Sequence, residues 1–298
     1  MENSTFNIDN YNDSGVWDLI CEGQTKGVFQ LESQLGRSWA KRVRPRSIEE
    51  LAALISLIRP GCLKAFTEGK SMTQHYVDRK AGIDEVKYLH DSLEPILKET
   101  YGVLVYQEQS MKIAQQLAGF DLKEADSLRK AIGKKKADLM NQIKGSFIDG
   151  AISVGGLEKE TAEEIFSWIE KSNRYAFNKS HAVSYAVNAY RSAYCKVHRK
   201  IEFFEAYLGH ADRKPDPQTE VRELVSDAKL YDIEGMPPRL GKFFNNFTIS
   251  DNKIYFGVNN VKGVGSSETV KLLEAIPELE ESLEKPFTEF TWSDVLFN

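Results

Sequence analysis

Apolar residues along this chain recur mostly at helical intervals, and the polar residues between them carry start and stop signals. "SIEELAALISLIRPG", residues 47–61, opens with Ser47 and Glu50 in the spacing of a capping box and stops at Pro60-Gly61. "YGVLVYQEQSMKIAQQLAG", residues 101–119, predicts a brief extended stretch from Val103 to Tyr106 and then a helix ending at Gly119. "DLKEADSLRKAIG" predicts another, with Asp121 as N-cap, Glu124 three residues on and Gly133 as the left-handed residue after the last turn. A further helix begins among the next lysines and runs to Gly155-Gly156, and one more spans about 158–172. "NRYAFNKSHAVSYAVNAYRSAYCKVHRK", residues 173–200, predicts a helix beginning near His181. Val183, Val187, Tyr190, Tyr194 and Val197 would form its apolar stripe, with His181, Ser184, Asn188, Arg191 and Cys195 opposite.

After residue 212 the texture changes. "DRKPDPQTEV" reads as a turn, "GMPPRLGK" as a loop, and "FFNNFTISDNKIYFGV" as two short strands around an Asp-Asn turn. The C-terminal "EAIPELEESLEKPFTEF" is acidic and shows no obvious closing element. There is no internal repeat, low-complexity tract or long linker. The predicted fold is mainly α with a small α+β part at the C-terminus. The expected divisions are a connecting segment over 1–32, a helical domain over 33–212 and a small α+β segment over 213–298.

Charge changes this picture. The chain of 298 residues has a formal charge of -5, yet its cations are clustered. Residues 34–46 hold five cations and no acid, 123–136 hold six against Glu124 and Asp126, and 171–200 hold seven and no acid. Within the second island, "RKAIGKKKADLM" puts five cations into eight positions. A solvated helix face usually mixes both signs, so segregation on this scale favours a polyanion surface. At the third island, "NKSH" sits where a helix start offers unpaired amides to an anion, with Lys179 beside them; a Ser180 N-cap is the structural alternative.

Candidate chemistry is otherwise sparse. No apolar run approaches the roughly 20 residues of a membrane helix, and the polar N-terminus is unlike a signal peptide. Cys21, Cys62 and Cys195 are far apart and read as reduced thiols of a cytoplasmic protein. Gly133 precedes lysines but lacks the hydroxyl residue and the strand of a Walker A loop. The five histidines form no HExxH motif, and there is no paired-aspartate DxD for two-metal phosphoryl transfer. "NIDNYND", residues 7–13, reads as a polar turn. "KGVGSSETV", residues 262–270, fits a turn of the helix-hairpin-helix kind or a plain tight turn.

Together these stretches resemble the C-family replicative polymerases, the alpha subunits of bacterial DNA polymerase III. The carrying segments are "GVFQLES" at 27–33, "LISLIRPGCL" at 54–63, "YGVLVYQEQSMKIAQQLAGF" at 101–120, "LRKAIGKKK" at 128–136, "YAFNKSHAVSYA" at 175–186 and "YFGVNNVKGVG" at 255–265. They are collinear and cover nearly the whole chain. The resemblance implies a multi-helix fingers domain plus the start of the adjoining C-terminal segment. It implies that Arg129, Lys130 and Lys134 hold the phosphates of an incoming deoxynucleoside triphosphate, with Asn178, Lys179, Ser180 and His181 lining the same pocket. Lys135 and Lys136 would reach template backbone or reinforce the phosphate grip. Arg42, Arg44, Arg191, Lys196, Lys262, Gly263 and Gly265 are the further candidate DNA contacts.

The same resemblance implies that the catalytic aspartates lie on a palm upstream of "GVFQLES". No catalytic or metal-binding residue is therefore expected here, no cofactor is expected on this chain alone, and Mg2+ is expected with the palm and the nucleotide. The chain is expected to be an expressed fragment or one product of a split polymerase. Its expected partners are a palm-bearing chain, template-primer DNA, deoxynucleoside triphosphates and, through parts outside this chain, a sliding clamp; no membrane is expected. "VFQLES" would dock on the palm through Phe29 and Leu31 if extended, or those residues fill this chain's own core. Two departures stand out: Lys130 where the family commonly has a second arginine, which loses the bidentate fork, and Cys62 where a proline is typical. The alternative function is a non-catalytic nucleic-acid-binding or polymerase-binding module that keeps the fingers fold.

Overall fold

The computed structural model describes residues 6–134, 137–237, 246–260, 264–291 and 293–294. The helices are α1 (Ser14–Cys21), α2 (Gln34–Val43), α3 (Ile48–Leu57), α4 (Pro60–Lys64), α5 (Met72–Lys80), α6 (Glu94–Leu97), α7 (Gln107–Ala118), α8 (Leu122–Lys134), α9 (Ala137–Ser153), α10 (Lys159–Asn173), α11 (Lys179–His198), α12 (Lys200–Gly209), α13 (Pro217–Ala228) and α14 (Ser266–Leu283). The strands are β1 (Phe66–Thr67), β2 (Lys70–Ser71), β3 (Glu234–Met236), β4 (Thr248–Ser250) and β5 (Lys253–Tyr255). The fold is thus mainly helical with a small three-stranded sheet near the C-terminus, as the sequence predicts. The chain divides into two compact units, residues 1–193 and 194–298, with the division falling inside α11.

Short polar side chains set most helix starts of the first unit. Asp13, Ser33, Ser47 and Ser71 each accept a hydrogen bond from a backbone N–H in the first turn of α1, α2, α3 and α5, worth about 1 kcal/mol apiece. The box predicted at α8 is complete: Glu124 N–H donates to Asp121 Oδ1 at 2.7 Å, and Asp121 N–H donates to Glu124 Oε2 at 2.9 Å. Helices α6 to α10 share one core, built around Leu104, Ile113, Leu128, Phe147, Phe166 and Ile169. At Gly150 of α9 a Cβ would lie 2.1 Å from the Ala118 carbonyl oxygen, so no side chain fits where α9 meets the end of α7.

Three boundaries differ from the sequence reading. Gly133 does not end α8, which runs on to Lys134. Pro60-Gly61 starts a helix, α3 having already ended at Leu57: Pro60 takes the first position of α4, where its missing N–H costs nothing. Helix α11 begins at Lys179, earlier than expected. Its buried stripe within the first unit is Ala182, Ala186, Ala189, Tyr190 and Ala193, whereas Val183 and Val187 are half-buried.

Residues 25–31 turn rather than extend: Val28 N–H donates to Thr25 O, and Leu31 N–H to Val28 O. Leu31 is fully buried in this chain's own core, while Phe29 remains 39% exposed with its ring 5.1 Å from that of Tyr185.

In the second unit, α12, α13 and the sheet enclose a core of Phe204, Leu208, Leu224, Ile233, Phe247 and Ile254. The predicted hairpin is present, with Asp251 and Asn252 at φ 51° and 56° joining antiparallel β4 and β5. Positive φ at both turn residues matches the twist of the strands. Strand β3, which the sequence reading did not anticipate, pairs parallel with β5. The "DRKPDPQTEV" stretch contains more than a turn: Asp216 caps α13 and Pro217 begins it.

Candidate nucleotide-facing site

Two of the basic islands land at helix ends of the first unit, where Arg129, Lys130 and Lys179 each meet a carboxylate. Arg129 and Lys130 lie one turn beyond Asp126 on α8. Arg129 places Nε and a guanidinium NH2 at 2.9 and 2.8 Å from Asp126 Oδ1, and Lys130 Nζ lies 2.6 Å from Oδ2. One carboxylate therefore serves two cations, which leaves the group with an excess positive charge. Both cations are accessible, with side chains 36% and 54% exposed. The hydrogen bond from Lys130, then that from Arg129, holds the Asp126 carboxyl below the ordinary range. Lys134 closes α8. Lys135 and Lys136 lie outside the described residues.

The start of α11 is assembled from three parts of the chain. Asn178, not Ser180, is the N-cap: its Oδ1 accepts from His181 N–H at 2.9 Å and from Ser180 Oγ at 2.7 Å. Its Nδ2 donates to Glu108 Oε1 at 2.8 Å, and the Lys179 N–H donates to Glu108 Oε2 at 2.9 Å. A parallel bridge between Tyr106 and Phe177 ties the same two segments together. Its bonds run from Gln107 N–H to Phe177 O and from Phe177 N–H to Val105 O, each 2.9 Å. Lys179 pairs with Glu99, and its ammonium lies 5.6 Å from the centre of the Tyr106 ring. The anion at this helix start is the chain's own Glu108, so the absence of acids over residues 171–200 does not leave the site electropositive.

Beside it runs a row of rings that the sequence reading missed. Phe177, His181 and Tyr185 recur every four residues, with centroids 5.4 and 4.1 Å apart, and Phe29 adds a fourth ring. The Arg59 guanidinium covers Phe177 at 4.3 Å and donates to Ser56 O and Tyr175 O. The four-residue spacing is visible in the sequence. Glu99, Glu108 and Phe29 carry no local signal, because each is brought in by the fold from a distant segment.

The remaining candidates are scattered. Arg191 is held by Asp9, with Nε and NH2 at 2.9 and 2.7 Å from one oxygen; this hydrogen bond keeps Asp9 acidic. The adjacent Tyr190 hydroxyl donates to Asn10 O at 2.7 Å. Arg42 is exposed on α2, lies 3.9 Å above the Trp39 ring and bonds Gln74. Arg44 is the exposed left-handed C-cap of α2, where Lys80 Nζ binds its carbonyl and that of Val43. Lys196 belongs to the second unit and has no accessible surface. Its Nζ lies 2.5 Å from buried Asp227 and 5.6–5.8 Å from the rings of Phe203, Phe204 and Tyr231. A lysine enclosed in this way has no face to offer a phosphate, which corrects its assignment as a DNA contact. Gly265 is exposed at the N-cap of α14. Lys262 and Gly263 lie outside the described residues.

Among the described residues there is no group of three or more His, Cys, Asp or Glu arranged to hold a metal ion, and no helix long and apolar enough to cross a membrane. Burial pushes all three thiols up, Cys21 and Cys62 being buried and Cys195 half-buried.

A helical body with cations presented at helix ends, followed by a small α+β unit, is the class that these observations define. Comparison with known proteins gives the family. Residues 2–155 match the bacterial DNA polymerase III alpha subunit finger domain, and the chain belongs to that family. Over 262 residues it is 45% identical to DNA polymerase III subunit alpha of Aquifex aeolicus, covering 88% of this chain and 22% of that protein. The same subunit of Helicobacter pylori strain J99 is 37% identical over 271 residues, with 88% and 22% covered. That of Thermus aquaticus is 37% identical over 262 residues, with 88% and 21% covered. The chain thus spans about a fifth of the length of these relatives.

Proposed function

We propose that this chain acts as the fingers of a replicative DNA polymerase. Arg129 and Lys130, with Lys134 to Lys136 beyond them, take the triphosphate of an incoming deoxynucleotide, and the Asn178–His181 turn with its ring row faces the nucleoside. Arg42 and Arg44 serve the DNA backbone. Nucleotidyl transfer then depends on palm aspartates that another chain or segment supplies. The reading is carried by one observation: two accessible cations on α8 share a single carboxylate. A triphosphate can replace such a partner with several charges at once, and phosphoryl transfer is catalysed largely by positioning and charge stabilisation.

The test is to measure binding of dATP and of primer-template DNA to the purified chain across a salt series, then primer extension with and without a palm-bearing chain. Binding to both ligands is expected, with DNA affinity falling steeply as salt rises because bound counterions are released. Extension is expected only in the mixture. Failure to bind either ligand at low salt, or extension by the pure chain, would sink the proposal.

A further inference from the structure

Carboxylates at the two basic helix ends do different work. Among the described residues, Asp126 and Glu99 bind the charged ends of side chains. Glu108 binds neutral groups instead: its two oxygens hold the Lys179 backbone N–H and the Asn178 side-chain amide. That second bond decides which way the Asn178 amide faces. With Nδ2 turned to Glu108, Oδ1 is turned to Ser180 Oγ and the His181 N–H. Rotating the amide would put an NH2 group against the His181 N–H, turn Oδ1 against the Glu108 carboxylate and uncap α11. The bonds thus run in series from Glu108 on α7 through Asn178 to Ser180 and His181, linking residues 70 positions apart in the chain.

We infer that Glu108 is the positioning residue of the nucleoside-facing turn: it fixes the orientation of Ser180, His181 and the ring row that starts with Phe177. This rests on the function proposed above, in which the phosphates lie on α8 and the nucleoside at the start of α11. The expected signature is therefore selective. Removing Glu108 should weaken binding of a whole nucleotide and leave binding of its phosphate chain alone unchanged. A residue that merely supported the fold would lower both. A carboxylate that merely competed with phosphate would raise both when neutralised.

Glu108→Gln is the informative variant, since it keeps the shape but places an NH2 group against one of the two donors. Affinities for dATP and for inorganic tripolyphosphate are measured on the full chain, together with hydrogen exchange of the amides of residues 179–182. The expected result is about a tenfold loss for dATP, the usual scale for a misplaced charge-assisted hydrogen bond. Tripolyphosphate affinity should be unchanged and exchange at residues 179–182 faster. Equal dATP affinity, or a parallel change for both ligands, overturns the inference. If the unaltered chain binds neither ligand, the proposed function fails, and the exchange rates then decide the role of Glu108: faster exchange upholds it as the tie of this turn, and unchanged exchange overturns it. Should Glu108→Gln fail to fold, Asn178→Ser takes its place. Serine still caps His181 but drops the amide that Glu108 holds, so the same selective loss is expected.

Discussion

Two lysine–aspartate pairs of this protein have nearly the same length and opposite character. Lys130 lies 2.6 Å from Asp126 with side chains 54% and 33% exposed, and Lys196 lies 2.5 Å from Asp227 with side chains 0% and 4% exposed. On α8 both ions keep water within reach and Asp126 already divides itself between two cations, so the contact is exchangeable. In the second unit both ions have lost their hydration and the ammonium is lined by aromatic rings, so neither can leave without stranding the other. Equal distances therefore say little; access to water separates a ligand-facing cation from a structural one.

Breaking the buried pair should produce the largest effect. Lys196→Ala strands Asp227 and is expected to cost the second unit about 3–5 kcal/mol, read by urea denaturation. Replacing both partners, Lys196→Met with Asp227→Leu, should recover most of that loss. A cost below about 1 kcal/mol for Lys196→Ala would erase the distinction between the two pairs.

At the exposed pair the sizes reverse. Arg129→Ala combined with Lys130→Ala should change stability by under about 0.5 kcal/mol per site yet lower affinity for dATP by tenfold or more, each lost charge-assisted contact being worth over 1 kcal/mol. Unchanged dATP affinity would remove these residues from the site. Asp126→Asn, which releases both cations, should by contrast bind tripolyphosphate a few-fold more tightly; weaker binding would mean that Asp126 orients the cations and does not occupy them.

The smallest effect is a titration. Asp126 is held below its reference value of 3.8 by Lys130 and Arg129. A carboxyl depressed in the folded state contributes its stabilisation fully above the unfolded value and loses it as pH falls through the lower folded one. An NMR titration of the Asp126 carboxyl should therefore have its midpoint below 3.8 and return toward 3.8 in the doubly substituted chain. The same midpoint in both chains would show that the ion pairs do not form in solution.

The sequence disclosed what is local. The Asp121–Glu124 box, the Ser47 cap, the Gly119 stop and the Asp251-Asn252 hairpin rest on neighbours within four residues, and each stands where its residues indicated. Helix α13 escapes notice because Asp216-Pro217, a cap with a first-turn proline, has the same composition as a plain turn. Strand β3 escapes because parallel pairing with β5 leaves no hairpin signature. In the candidate site the cations are legible, as is Asp126 three and four residues from Arg129 and Lys130, but the carboxylates at the start of α11 are not. Glu99 and Glu108 lie 70–80 residues from the turn they serve, and Asp9 lies 182 from Arg191. The burial of Lys196 comes from packing within the second unit, which a charge count along the chain cannot register.

The bridge between Tyr106 and Phe177 has a consequence for how this molecule can change. It brings together the two ends of a segment that carries α7 to α10 and most of their shared core. A segment whose ends already touch resembles an inserted module, able to be lengthened, shortened or exchanged at its far loops without disturbing the chain that enters and leaves it. Variation in length should therefore gather in the turns around residues 119–121 and 154–158, while the 105–108 and 177–181 strips, which form the joint, stay constant in length.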